Sequence, residues 1–379
     1  MILFLLIFFL IYGSMHLYAF LRIRTAFALS ETYSILIGLI MIIMIFAPII
    51  VRLSEKSGFD NFAKIMSYAG YIWMGVLFLF VSASIFIDIY RFVVYSLSLI
   101  IKKDLTFITL TPRAVFIFPF IAAVIISIYG YFEALNIVTE KIVLKTHKIN
   151  GKIRIVQISD VHLGLIVREK RLEKILSKVR EANPDILVST GDLVDGQIDN
   201  LNGLSRLLKE INPPMGKFAV TGNHEYYAGL EQCLKFTEDS GFKILRNEAL
   251  LINNNILIAG VDDPQIQKVN HSQNLKEDKL FNSENKGKFV LLLKHRPFVE
   301  KNSIGLFDLQ LSGHVHKGQI FPFSLATKFY YPVHAGFKKL ADSSYLYVSR
   351  GSGTWGPPIR FLSKPEVTLI DISNPDLHI

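Results

Sequence analysis

Ten histidines occur in the 379 residues, and five of them, His162, His224, His295, His314 and His316, each follow closely on a short apolar run. The first run ends in Asp160-Val161-His162, the second in Gly191-Asp192, the third in Gly222-Asn223-His224-Glu225, the fourth leads to His295 and the last to Gly313-His314-Val315-His316. Imidazole, carboxylate and carboxamide together are the donor set of a transition-metal or zinc site, with Mn, Fe or Zn favoured over the all-oxygen preference of Mg and Ca. Two such ions held about 3.5–4 Å apart need one anionic oxygen in common. Asp192 is the natural bridge. Residues two apart on an extended segment share a face, so Asp160 and His162 point one way, and His314 and His316 can be divided between two ions.

The runs themselves read as strands: Ile153–Ser159, Ile186–Thr190, Phe218–Thr221, Phe289–Leu293 and Leu309–Leu311. Between the first two, Leu172, Ile175, Leu176 and Val179 recur at helical spacing, which predicts a covering helix over Arg168–Ala182. Strands alternating with helices indicate an α/β layered domain, and in such sheets sites gather outside the carboxyl ends of the strands. Gly191, Gly222 and Gly313 then give the chain room to turn beside the ligands.

Taken in order, these motifs resemble the full series of the calcineurin-like metallophosphoesterases, over about residues 150–375. The tail Ser349–Arg360 (SRGSGTWGPPIR) is similar to that of the membrane-associated bacterial branch with N-terminal transmembrane helices. The resemblance implies a four-layer αββα sandwich. It implies that Asp160, His162 and His316 hold one divalent ion, that Asn223, His295 and His314 hold a second, and that Asp192 bridges them. His224 would assist departure of the leaving oxygen, and Asp195 looks like the acid that orients it, with a loop cap as the competing reading. For Glu225 a cap or a supporting role behind the ligands is expected. Arg296, Arg350 and Arg360 are candidate forks for phosphate oxygens, although a salt bridge is the ordinary fate of an arginine. Where members of this branch commonly carry glycine after the last histidine, this chain has Lys317, which either meets substrate phosphate or points to solvent.

The N-terminal part is a different material. Residues 1–140 hold 9 Lys+Arg and 7 Asp+Glu, against 32 and 25 in residues 141–379. Four uncharged apolar stretches, 1–21, 34–51, 68–87 and 114–132, each match the roughly 20 helical residues that cross a bilayer. They predict an all-α four-helix transmembrane domain over 1–140, followed by the phosphoesterase domain over 150–379. The first stretch lacks the basic start of a signal peptide. Asp88–Arg113, mixed in character, suits a segment lying at the interface. Lys and Arg divide six against six between the two sides, so the face carrying the catalytic domain is undecided, with a lean to the cytoplasm. For His16 a helix-packing or interfacial role is expected over a proton relay.

A composition that is 51% hydrophobic and 19% charged excludes a disordered chain, and one cysteine, Cys233, excludes a disulfide framework or a multi-cysteine metal site. The net charge of +9 comes from scattered residues without a nucleic-acid-binding motif, so no nucleic acid is expected, and no obligate protein partner is evident. The expectation is a multi-pass protein of the cell membrane that hydrolyses phosphate mono- or diesters, with lipid-linked or pyrophosphate-containing esters favoured by the anchor. The alternative is a catalytically silent metal-binding scaffold or sensor with the same fold.

Overall fold

The computed structural model describes residues 2–196, 201, 203–265, 277–281, 287–341 and 344–376. The chain forms two compact units, residues 1–132 with 356–359, and residues 133–355 with 360–379.

The first unit is built from α1 (Ile2–Phe27), α2 (Glu31–Lys56), α3 (Asp60–Ile101) and α4 (Pro112–Leu135), whose last three residues belong to the second unit. All four are long and apolar enough to cross a membrane. Each expected span lies inside one of them, except that Met1 is outside the described residues. The first part of the segment expected at the interface, 88–101, continues α3, which runs unbroken for 42 residues, about 63 Å at 1.5 Å per residue. No proline interrupts it, and Asp88, which read as the end of a span, is instead engaged within the unit by Arg22 and Tyr18 of α1. His16 accords with a packing role, its Nδ1 on the Tyr12 carbonyl and its Nε2 facing the Trp73 indole N–H at 2.8 Å. A Cβ on Gly70 would come within 2.7 Å of the Ala47 Cβ, so small residues let α2 and α3 close up.

The second unit is an α/β sandwich of two six-stranded sheets. The first sheet has the order β1 (Val138–Lys145), β12 (Glu366–Ser373), β2 (Lys152–Ile158), β3 (Ile186–Ser189), β4 (Lys217–Ala219), β5 (Lys243–Ile244). The second has β10 (Gly336–Lys339), β11 (Tyr345–Val348), β9 (Leu309–Ser312), β8 (Phe289–Lys294), β7 (Ile256–Val261), β6 (Glu248–Ile252). Period-two alternation decides the layers. Ile155, Ile186, Val188, Phe289, Leu291 and Leu293 meet between the sheets. Val156, Ile158 and Leu187, one residue out of phase, face the other way, under α5 (Glu169–Ala182), α6 (Leu204–Lys209) and α8 (Leu230–Asp239). On the far face of the second sheet, Val290 and Leu292 are covered, among the described residues, by single turns and connecting segments, so the fourth layer is thin there.

The sandwich begins earlier than expected. Residues 138–145, the first three assigned to the expected transmembrane domain and the rest left between the two domains, form β1, which pairs parallel with β12 along its whole length. Its alternating burial and its charged Glu140, Lys141 and Lys145 are those of an edge strand, a weak signal in sequence. β2, β3 and β4 run parallel, as do β7, β8 and β9, so their carboxyl ends emerge together.

Candidate metal centre

Each of the five ligand-bearing segments leaves a parallel strand at its carboxyl end: Asp160 and His162 after β2, Asp192 after β3, Asn223 after β4, His295 after β8, and His314 and His316 after β9. The segments are laced by backbone bonds, Asp160 N–H to Gly191 O at 3.0 Å and His162 N–H to Asp192 O at 3.0 Å. Gly191 (φ +90°) lies so close under the third segment that a Cβ would stand 2.7 Å from both Gly222 N and His295 Nδ1. Five non-glycine residues of the site adopt left-handed backbone: Asp160 (51°), His162 (54°), Asp192 (51°), His314 (72°) and His316 (49°). Such conformations cost about 1–3 kcal/mol each and persist where the surroundings over-determine them, as they do where side chains must converge.

Three groups of donor atoms result, each with ligand atoms within 4.8 Å of one another: Asp160, His162 and His316; Asp192, His295 and His314; and, between these two, His162, Asp192 and His224. His162 and His316 bring their Nε2 atoms to 3.1 Å. His295 Nε2 is 3.2 Å from each of Asp192 Oδ2, Asn223 Oδ1 and His314 Nδ1, while its Nδ1 lies 2.8 Å from the Thr190 carbonyl. With the Nδ1 proton donated to Thr190, the other nitrogen faces the oxygens of Asp192 and Asn223 and a ring nitrogen of His314, a convergence that suits a positive charge at its centre. Asp192 also reaches the first group, with Oδ2 at 3.9 Å from His162 Nε2. The donor set therefore fits two divalent cations with Asp192 between them.

The electrostatics agree. Burial opposes ionisation of Asp192, yet the neighbouring His295 and His224 hold its carboxyl well below the usual range. His295 is disfavoured as a cation by burial, but Asp192 and Asp160 push it up to about 10; a field that retains a proton there is one that attracts a cation. Burial, joined by His295 and Arg360 respectively, keeps His314 and His316 neutral, the form in which imidazole ligates.

His224 stands at the edge of this array. Its backbone N–H donates to Asp192 Oδ1 at 2.9 Å, and its Nδ1 lies 3.0 Å from Asp195 Oδ1. Burial disfavours the imidazolium, but Asp192 and Asp195 outweigh it and raise the pKa to about 10. The same Asp195 oxygen is 3.1 Å from His162 Nδ1, so Asp195 orients both rings. Glu225, the third residue of α7 (Asn223–Ala228), is buried and accepts the backbone N–H groups of Gly222, Asp192, Leu193 and Val194. It thereby fixes the turn that presents Asp192.

The candidate arginines are each engaged within the protein. Arg360 is fully buried, and its guanidinium donates to the carbonyls of Gly353, Arg350, Ser363 and Gly351 and faces His316 Nδ1 at 3.0 Å. It braces the tail against the last histidine instead of presenting a fork to phosphate. Arg350 is engaged by Glu366 at 2.5 Å and Glu140 at 2.8 Å. Arg296 makes a two-pronged pair with the buried Asp263, at 2.7 and 3.1 Å, so its charge is answered within the protein. Lys317 is half-buried on the turn after His316. Sequence reasoning missed an aromatic rim: the rings of Tyr227 and Trp355 lie 5.5 and 6.1 Å from that of His224, and Tyr331 lies 5.8 Å from His314. Tyr227 was findable, three residues beyond His224 on the same helix.

Residues 153–318 match the calcineurin-like phosphoesterase family. An uncharacterised metallophosphoesterase of Aquifex aeolicus is 42% identical over 253 residues, covering 66% of this chain and 97% of its own. Another, of Campylobacter jejuni, is 29% identical and aligned over 96% of both chains. A zebrafish (Danio rerio) transmembrane protein with a metallophosphoesterase domain is 30% identical, and this chain covers 61% of its length.

Proposed function

The chain belongs to the calcineurin-like phosphoesterase family, and on that premise we propose that it is a membrane-anchored hydrolase of phosphate mono- or diesters working with two divalent cations. The observation that carries the reading is the sharing of Asp192: its carboxylate is within reach of both donor groups and also receives the His224 N–H. Asp160, His162 and His316 would hold one cation, Asn223, His295 and His314 the other, and Asp192 both, with Mn, Fe or Zn suited to the nitrogen-rich set. When bound, the cations lower the pKa of an attacking water and offset the charge that develops on the phosphoryl oxygens.

The chain's own groups supply the rest. Water adds to phosphorus as the P–O bond to the leaving group breaks, and the departing oxygen needs a proton. His224, held by Asp195, is the group to give it. The left-handed backbone at five ligands and the four-fold grip of Glu225 keep the donors in place before substrate arrives. Four apolar helices support residence at a membrane, where esters carried by lipids are the substrates the anchor favours.

The test is a phosphoester panel, with soluble and lipid-borne members, run on the detergent-purified, Mn-loaded chain. His224→Ala should lower turnover by about 10²–10⁴-fold while metal content stays near two per chain. Undiminished turnover would remove His224 from the reaction. A wild-type chain that binds two ions and hydrolyses nothing would instead support the silent scaffold.

A further inference from the structure

One element at the rim has no use in hydrolysing a water-soluble ester. Helix α9 (Phe323–Tyr330) rests on the turn that carries the last two site histidines. Gly318 in that turn has no room for a Cβ, which would press on the backbone of Phe323 and Ser324. Rings continue the connection, since Tyr331, 5.8 Å from His314, is flanked by Tyr330 at 4.8 Å and Phe298 at 5.1 Å. A helix so braced by its backbone ought to bury its apolar side chains. It does the reverse: Leu325 is 60%, Tyr330 67% and Phe329 94% exposed, and no residue of the helix is buried.

Cations accompany these side chains. Lys328 is on the helix and exposed, and Lys317 follows His316. Burial, and after it the charges of Lys317 and Lys328, lower the pKa of His334. Lys338 and Lys339 are exposed on β10. Large apolar and aromatic side chains with lysines beside them are what an interfacial helix presents to acyl chains and anionic headgroups. In a water-facing enzyme the same surface would be an aggregation hazard.

We propose that α9 is the lipid-contacting rim of the site: Phe329 and Leu325 enter the acyl boundary of the bilayer, Lys317 and Lys328 meet anionic headgroups, and the substrate is an amphiphile whose phosphoester reaches Asp192 while its apolar chain stays against α9. The substrate class rests on the hydrolase reading; the bilayer contact does not.

The two are separable by experiment. Cys233 is the chain's single cysteine and is buried, so a polarity-sensitive fluorophore on Phe329→Cys reports from α9 alone. In bilayers of phosphatidylcholine and phosphatidylglycerol, that label should shift to the blue and be quenched by brominated acyl chains. A label on Glu173→Cys, an exposed position of α5, should not. Water-like, unquenched emission at 329 overturns the proposal. The double variant Leu325→Ser, Phe329→Ser should lose about tenfold in kcat/KM toward a long-chain phosphoester in mixed micelles and nothing toward p-nitrophenyl phosphate. An equal fall on both overturns it, since α9 would then only support His314 and His316. If the wild type hydrolyses neither ester, the hydrolase reading fails and the quenching result alone decides the bilayer contact.

Discussion

Asp192 can be a bridge only if its backbone is pinned, and the pin is Glu225. Two carboxylate oxygens accept four N–H groups from two chain segments, which a neutral amide cannot do. Glu225→Gln would turn an NH₂ toward N–H donors and leave buried groups unanswered, at a cost of about 2–4 kcal/mol. The expected result is a matching loss in denaturant midpoint together with weaker metal retention, measured by equilibrium unfolding and by metal content after dialysis. A second buried residue makes a pH prediction far from the metals. Lys217 donates to the carbonyls of Leu208 and Ser240, and burial, with Lys209 adding to it, lowers its pKa to about 8. Between that value and the ordinary lysine range the unfolded chain holds a proton that the folded chain has given up. Stability from this group is therefore complete above the unfolded pKa and is lost as pH falls through about 8. The wild type should gain thermal stability relative to Lys217→Met as pH rises from 7.5 to 10. A difference independent of pH would show that Lys217 stays charged.

At the scale of elements, the site was legible because its chemistry is local: Asp and His follow directly on apolar runs, and β2, β3, β4, β8 and β9 fall within a residue or two of those runs. What sequence could not show was conformation and competition. Nothing in the letters says that Asp160, His162, Asp192, His314 and His316 take left-handed backbone. Nor could Arg360 be told from a phosphate fork, since the carbonyls that engage it are up to ten residues away along a folded tail. Asp88 looked like the polar end of a span because its partner, Arg22, is 66 residues earlier. The close approach of segments does yield a test. Gly191→Ala would drive a Cβ against Gly222 and the His295 ring in a backbone conformation that L side chains avoid. The expected loss is about 3 kcal/mol, with reduced metal content. A native midpoint would mean that the β3 and β4 segments can part without consequence.

At the scale of the whole sandwich, both donor groups draw on both sheets. Asp160 and His162 come from the first sheet and His316 from the second; Asp192 comes from the first, His295 and His314 from the second. The sheets are otherwise joined face to face by apolar packing between Ile155, Val188, Leu291 and their neighbours. Cations at this seam would thus be cross-links between layers, and because the unfolded chain offers no such convergence, their binding energy adds to folding. A site saturated a hundredfold contributes about 2.7 kcal/mol, which in a domain of this size corresponds to roughly 5–10 °C. Chelation should lower the thermal midpoint of the sandwich by at least that much, and Mn should restore it. Asp192→Asn, which weakens both donor groups at once, should show a chelation shift well below the wild type's. Equal shifts in the two proteins would mean that the stabilising cations bind elsewhere, and Asp192 would lose its place between them.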